Sequence, residues 1–196
     1  MEKNNNKQVV QPEVSRTKFD NEVSEYRKLE DEWRKKGVIC LNIEFPIIQL
    51  VFIAHQLKPP SVAFAVSIDF NNYDVDPPSI VFINPFSGKP ITTKEMNVGF
   101  FQLSKKDLPV PEGQPKVVQN IMQPILMGAP DDYPFLCIPG VREYHKHPAH
   151  TGDSWLLYRN KGEGKLGFLI DQLYNHSIPF VKSYNIKFNV SINQQP

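Results

Sequence analysis

The chain has 196 residues, which suits one domain of ordinary size with short extensions. Its 22 basic residues nearly balance its 21 acidic residues, so it lacks the overall positive charge that would attract nucleic acid or an anionic membrane. It contains no long apolar stretch, no apolar signal segment at its start and only two cysteines. We therefore expect a cytoplasmic protein with reduced thiols that binds neither nucleic acid nor membrane.

The first predicted element in chain order is an amphipathic helix. Residues 1–15 are polar and rich in Asn, Gln and Lys, which predicts a disordered tail before a single domain at residues 16–196. Over residues 19–36, apolar side chains recur three or four positions apart, and Gly37 follows as a stop signal. The sequence therefore predicts a helix over residues 19–36.

Four β-strands are predicted after this helix, because four runs are rich in β-branched and aromatic residues. These runs are residues 38–44, 47–53, 61–70 and 79–83. The strands follow one another through short turns, which favours an antiparallel meander over a parallel sheet.

The second half of the chain has a weaker pattern. We expect an irregular, proline-rich segment over residues 86–132, with a short helix at residues 116–127 that is interrupted by Pro124. Further on, the sequence predicts a strand at residues 154–158, an amphipathic helix at residues 165–176 and an edge strand within residues 180–193. Together these elements predict an α+β fold with an N-terminal helix, a four-strand meander and a C-terminal helix.

The most unusual feature of the chain is a cluster of metal-ligand residues. Three of its five histidines and one of its two cysteines fall between residues 137 and 150. Thiolate, imidazole and carboxylate groups are the ligands that Zn²⁺ and neighbouring transition metals prefer. The candidate ligands are Cys137, Glu143, His145, His147 and His150. We predict that this cluster binds a divalent transition metal, with zinc as the expected ion.

The conformation of this segment sharpens the prediction. Pro148 disfavours a helix for the residue before it, so we expect residues 143–147 to be extended. Glu143, His145 and His147 would then share one face. Five candidates exceed the four ligands of a closed zinc site, and Glu143 is the candidate to orient an imidazole or to take a proton from bound water as a catalytic base. A metal-free acid–base or nucleophilic site and simple polar packing are the alternatives.

The cluster also carries a resemblance to a known family. Together with the following Thr-Gly-Asp-Ser-Trp run at residues 151–155, it resembles a predicted metal-binding family named for its Cys, Glu, His and His ligands. That family is found in bacterial gene clusters with ubiquitin-like proteins, E1-like and E2-like enzymes and JAB-type peptidases. The resemblance covers residues 130–178. It implies a ubiquitin-like protein, or its E1-, E2- or JAB-like machinery, as the partner.

A second resemblance is to the ubiquitin-conjugating (E2, UBC-like) fold. Residues 73–85 look like the E2 pattern Y-P-x-x-P-P-x-V-x-F-x-x-P, with Asp74 in place of the first proline. The His-Pro-Ala run at residues 147–149 resembles the His-Pro-Asn segment of that family, with Ala149 in place of Asn. This resemblance implies a UBC-like α+β fold. No cysteine follows Cys137, so a thiol is missing where an E2 keeps its nucleophile.

These observations predict a metal-binding, E2-like protein of a bacterial ubiquitin-like conjugation pathway that lacks the usual E2 cysteine. A metal-dependent hydrolase with Glu143 as general base is one alternative. A non-catalytic interaction module with a structural metal is another. The remaining alternative makes Cys137 a transferable nucleophile assisted by a neighbouring histidine.

Overall fold

A computed structural model describes residues 9–108, 117–159 and 161–185. These residues form the expected α+β fold, with an N-terminal helix, a four-strand antiparallel sheet and a C-terminal helix. None of the helices in this part of the chain is long and apolar enough to cross a membrane. The helices are α1 (Pro12–Lys28), α2 (Glu30–Lys35), α3 (Arg142–Lys146) and α4 (Leu166–Asn175). The strands are β1 (Val38–Glu44), β2 (Ile47–Ala54), β3 (Ser61–Asp69), β4 (Ser79–Ile83), β5 (Phe101–Leu108), β6 (Val117–Pro124), β7 (Leu126–Met127) and β8 (Phe135–Leu136).

The predicted N-terminal helix is present but begins earlier and is divided in two. It starts at Pro12, a residue well suited to the first turn of a helix because its missing N–H has no helical partner there. Leu29 leaves helical geometry, with φ −111° and ψ 6°, and separates α1 from α2. The first turn thus lies inside the segment predicted to be a disordered tail, and residues 1–8 of that segment lie outside the described residues.

The four-strand sheet has the order β1-β2-β3-β4 and is antiparallel throughout, as the meander prediction requires. The register places Leu50 opposite Val66 and Val66 opposite Phe82, so one buried apolar row crosses three strands. Because side chains alternate between the two faces of a strand, the row lies on a single face of the sheet. This face forms the main core together with the buried residues of α1 and α4.

One carboxylate links α1 to α4. Glu22 Oε2 accepts the backbone N–H of Leu166 at 2.9 Å, and its Oε1 accepts the hydroxyl of Tyr73 at 3.2 Å. The residue before α4, Lys165, gives this helix no side-chain cap of its own. Glu22 therefore supplies the negative group that the exposed N–H groups at a helix start favour.

Two predicted elements in the second half of the chain are wrong. The described part of the first, residues 117–127, does not form a helix; instead β6 runs to Pro124 and pairs with β5. The β-branched residues that open β6 suit a strand, and Pro124 cannot donate a helical hydrogen bond. Residues 155–157 form a 3₁₀ turn in place of the predicted strand, with the Ser154 hydroxyl accepting the Leu156 N–H at 3.3 Å. Residues 181–185 have no regular structure, and the rest of the predicted edge strand lies outside the described residues.

A buried arginine joins the sheet to the segment that carries the predicted ligands. Arg142 is 2% exposed and begins α3. Its guanidinium donates to Pro77 O at 3.0 Å and to Asn71 O at 2.6 Å, and it lies 3.5 Å from an Asp69 carboxylate oxygen. Its backbone N–H also donates to Pro78 O at 2.8 Å. These contacts fix the start of α3 against the connection between β3 and β4.

Replacing Arg142 with Leu should lower the free energy of unfolding by about 3 kcal/mol, because the change leaves Asp69 and two carbonyl oxygens without their buried donor. Urea denaturation followed by circular dichroism measures this loss. Arg34→Leu is the matched control, since it removes an equivalent side chain from an exposed ion pair with Glu30 and should leave stability nearly unchanged. Equal losses for the two variants would contradict the anchoring role of Arg142.

Candidate functional site

The segment that carries the histidines is helical where an extended strand was predicted. Residues 142–146 form α3, so the expectation that Glu143, His145 and His147 share one strand face is wrong. The restriction imposed by Pro148 acts only on the residue before it. His147 leaves the helix in an extended conformation, with φ −74° and ψ 133°, and Pro148 opens a 3₁₀ turn that ends at His150. The five candidate ligands therefore point to different surroundings.

Two of the five candidates are in direct contact. The Sγ atom of Cys137 lies 3.2 Å from Nε2 of His150. Cys137 follows β8, where its backbone N–H donates to Ile125 O at 2.8 Å. Both side chains are partly buried. Burial raises the pKa of the Cys137 thiol. The pair thus places a thiol within hydrogen-bond distance of an imidazole nitrogen.

His147 lies beside this pair. Its ring centroid is 5.8 Å from that of His150, and it stacks on Phe135 with the centroids 5.2 Å apart. Its Nδ1 accepts the Ala149 N–H at 3.2 Å, and its Nε2 has no hydrogen-bond partner among the described residues. His147 is therefore a second nitrogen donor next to the Cys137–His150 pair.

Both ring nitrogens of His145 form hydrogen bonds with the backbone around the site. Its Nδ1 is 2.8 Å from Asp153 O, and its Nε2 is 3.2 Å from the Gly140 backbone nitrogen. Since a carbonyl oxygen only accepts and an amide N–H only donates, the neutral ring carries its proton on Nδ1. Gly140 has φ +91°, and a Cβ there would come within 2.5 Å of Gly164 N. The imidazole thus fastens a tight turn that only glycine fits.

Glu143 lies on the side of α3 that faces the sheet. Its carboxylate accepts the hydroxyl of Ser79 and, at 3.4 Å, the backbone N–H of Ile80. Burial raises the pKa of this carboxyl group, and the hydrogen bond from Ser79 partly opposes that rise. Glu143 therefore adds to the contacts by which Arg142 holds α3 in place, and its carboxylate is hydrogen-bonded to β4.

Asp153 contacts Tyr144, and the Tyr144 ring in turn contacts His150. The Asp153 carboxylate accepts the hydroxyl groups of Tyr144 and, at 2.5 Å, Tyr158. These hydrogen bonds lower the pKa of Asp153. Tyr144 in turn stacks on His150 with the ring centroids 4.0 Å apart and the planes inclined by 28°. Sequence reasoning missed Tyr144 because the stacking depends on the helical geometry of α3.

The arrangement divides the five predicted ligands into two groups. Cys137 and His150 meet, with His147 adjacent, whereas Glu143 and His145 are engaged elsewhere. In the part of the chain that the structure describes, no three His, Cys, Asp or Glu side chains are grouped so as to hold a metal ion. The contact between a thiol and an imidazole is therefore the feature of this site that is suited to a chemical reaction.

Residues 73–85, which carry the first part of the E2 resemblance, contact residues on both sides of the His-Pro-Ala run at residues 147–149. Residues 73–85 contribute the carbonyl groups of Pro77 and Pro78 that bind Arg142, the first residue of α3. The carbonyl of Asp74 in the same segment accepts the indole N–H of Trp155 at 2.8 Å. The His-Pro step at His147 lies between these two anchors in the sequence. The fold thus brings together segments that lie about 65 residues apart.

Comparison with known proteins places the chain in a family. The model of the Y4jH-like family, described as the Y4jH family, matches residues 10–181. The chain belongs to the Y4jH-like family. A relative from Sinorhizobium fredii, named as the uncharacterized protein y4jH, is 37% identical over 194 residues, which cover 94% of this chain and 92% of the relative. The family match includes the whole site, from Cys137 to Tyr158.

Replacing Glu143 with Gln tests whether this carboxylate is structural. Burial raises its pKa in the folded chain, so its contribution to stability is full below its ordinary value of about 4.3 and is lost as pH rises through the folded-state pKa. Gln keeps an acceptor for Ser79 without the charge. The variant should therefore gain stability relative to the native chain as pH rises from about 4 to about 7, as measured by urea denaturation.

Glu25→Gln is the matched control, because Glu25 lies exposed on α1. The stability difference between the control and the native chain should stay flat over the same pH range. A flat difference for Glu143→Gln as well would contradict the buried placement of this carboxylate.

Proposed function

We propose that the chain is an E2-like carrier protein of a ubiquitin-like conjugation pathway. Cys137 is the thiol that receives the activated ubiquitin-like protein, and His150 is its base. The observation that carries the proposal is the 3.2 Å contact between Cys137 Sγ and His150 Nε2. A nucleophile and a base within hydrogen-bond reach form the arrangement on which cysteine-based acyl transfer depends.

The position of this pair supports the E2-like reading. In the sequence no cysteine follows the His-Pro step at residue 147, where an E2 keeps its nucleophile. In space, however, Cys137 reaches the same segment from its N-terminal side, after β8. The packing of the Pro77–Pro78 connection on α3 adds support, since it holds one segment of the resemblance against the helix that leads into the other.

The chemistry requires a base because burial raises the pKa of the Cys137 thiol. As Sγ attacks the thioester carbonyl of the activated ubiquitin-like protein, a bond forms between Sγ and the carbonyl carbon. The bond between that carbon and the sulfur of the donor enzyme breaks. The thiol proton passes through His150 Nε2 to the departing thiolate, so that one thioester replaces another without an oxidant or reductant.

Reconstitution with a bacterial ubiquitin-like protein and its cognate E1-like enzyme tests the proposal. The native chain should form a covalent adduct that thiol reagents cleave, visible by non-reducing electrophoresis. Cys137→Ser should abolish the adduct or convert it into a thiol-resistant ester. His150→Gln should slow its formation by at least about tenfold, because the base is removed.

Cys40→Ser is the matched control, since Cys40 lies in β1 away from the histidines and should be dispensable. An adduct that persists unchanged in Cys137→Ser would contradict the proposal. So would failure of the native chain to accept a ubiquitin-like protein that the E1-like enzyme has activated.

Zinc binding at the same place is a second candidate function. The observation that favours it is the position of His147, whose ring lies beside His150 and whose Nε2 has no partner among the described residues. The three protein ligands would be Cys137, His147 and His150, the number found in catalytic zinc sites. Binding would require these side chains to move together, because the described residues contain no preformed group of three ligands. Glu143 and His145 are left out because their polar atoms are bonded elsewhere. A zinc ion would keep Cys137 as a bound thiolate and withdraw it from acyl transfer.

Elemental analysis of protein purified without chelators and without a histidine tag tests this candidate. Zinc binding predicts about one zinc per native chain and its loss in Cys137→Ser and His147→Ala, because a site of three protein ligands cannot spare one. His55→Ala, which removes an exposed histidine far along the sequence, should retain the metal. A metal-free native chain would rule out the zinc candidate and leave the carrier function standing.

A further inference from the structure

His147 offers a hydrogen-bond donor beside the Cys137–His150 pair. Its Nδ1 atom lies 3.2 Å from the backbone nitrogen of Ala149. Because an amide N–H only donates, Nδ1 accepts this hydrogen bond, and the neutral ring carries its proton on Nε2. Among the residues that the structure describes, this Nε2–H group has no partner. His147 is thus able to donate a hydrogen bond to a group bound at the site.

The strand that carries Cys137 sets the position of the His147 ring. The Cys137 N–H donates to Ile125 O at 2.8 Å and so continues the pairing of β8 with β7. Side chains alternate along such a segment, so Phe135 and Cys137 lie on one face of it. His147 stacks on Phe135 with the ring planes inclined by 29°, and His150 contacts Cys137. The two imidazoles therefore lie over the same face of the strand, with their centroids 5.8 Å apart.

Acyl transfer to a thiol needs a donor of this kind. When the sulfur attacks a thioester carbonyl, the carbonyl oxygen gains negative charge in the tetrahedral intermediate, and preorganised N–H or O–H donors stabilise that charge. His150 is occupied as the base. The Tyr144 hydroxyl is bonded to the Asp153 carboxylate, and the His145 Nδ1–H is bonded to Asp153 O at 2.8 Å. The Nε2–H group of His147 is the ring donor beside the thiol that remains available.

We propose that His147 is a second catalytic residue, whose Nε2–H donates a hydrogen bond to the oxyanion that forms when Cys137 attacks a thioester. This role rests on the proposed function, because it assumes that Cys137 and His150 perform acyl transfer. His150 takes the thiol proton, whereas His147 keeps its own proton throughout. The carbonyl oxygen bears the negative charge in the intermediate and loses it as the carbonyl re-forms and the thiolate of the donor departs.

Two small reagents separate the role of His147 from that of the base. S-phenyl thioacetate acetylates a thiol through an oxyanion, whereas iodoacetamide alkylates it by displacement at a saturated carbon, where no oxyanion forms. Both rates at Cys137 are measured by mass spectrometry in the full chain, with Cys40 as the internal reference. His147→Ala should slow acetylation by about 100-fold, because one oxyanion donor is lost. The same variant should alkylate at nearly the native rate.

Two matched variants complete this experiment. His147→Gln keeps an N–H donor at the end of its side chain and should react with the thioester at least about tenfold faster than His147→Ala. His55→Ala removes an exposed histidine and should keep both native rates. Equal slowing of both reactions in His147→Ala would show that His147 only holds the site together. Faster alkylation would show that the thiol had been released from a metal. Either result, or an unchanged acetylation rate, would overturn the proposal.

Failure of the carrier function gives a different result from failure of this role. A native chain that accepts no ubiquitin-like protein, but loses acetylation selectively in His147→Ala, would keep the oxyanion donor and lose the carrier function. A ubiquitin-like adduct that forms at the same rate in the native chain and in His147→Ala would keep the carrier function and contradict the role of His147.

Discussion

The buried guanidinium of Arg142 is the interaction on which the site depends. A charge that is 2% exposed must be met by buried acceptors, and three residues at the end of β3 and in the β3–β4 connection provide them: Asp69, Asn71 and Pro77. The next residue, Glu143, adds the contact with Ser79. Together they fix one short helix against the edge of the main sheet. Because His145 lies in α3 and the other two histidines of the cluster follow shortly after it, fixing this helix also fixes the positions of all three.

A second set of contacts orients the histidines once α3 is in place. Asp153 accepts the hydroxyl of Tyr144, and the Tyr144 ring stacks on His150, which faces Cys137. On the other side, His145 fastens the Gly140 turn that leads out of the segment containing Cys137. The cluster thus contains residues of two kinds. Some hold the segments in position, and Cys137 and His150 remain with atoms available for chemistry.

The sequence predicted the main sheet well because its signals are local. Each strand of the meander is a continuous run of β-branched and aromatic residues, and the C-terminal helix has a clear apolar face at Leu166, Leu169 and Leu173. The hairpin of β5 and β6 was missed because its pairing joins residues across a connection, and the pattern of β6 alone does not distinguish a strand from a short helix. Helix α3 was missed because Pro148 restricts only His147, which is indeed extended, and because the Arg142 contacts that fix the start of the helix are distant in sequence.

The location of the candidate site followed from composition, but its internal arrangement did not. Clustered cysteine and histidine pointed to residues 137–150, where the thiol–imidazole contact is found. An extended segment would have put Glu143 and His145 beside His147, whereas helical geometry sends Glu143 to the sheet and His145 to the Gly140 turn. In the sequence no cysteine follows the His-Pro step, whereas the fold brings Cys137 to His150 from the N-terminal side, because chain order carries no information on which segments meet in space.

The central claim is that Cys137 and His150 act as one pair, and the alkylation rate of Cys137 tests it most directly. The rate is measured by mass spectrometry with iodoacetamide at neutral pH, with Cys40 in the same molecule as the internal reference. A thiol whose pKa is raised by burial reacts slowly unless a base assists it. The account predicts that His150→Gln slows alkylation of Cys137 by at least about tenfold while that of Cys40 stays constant. An unchanged Cys137 rate would contradict it.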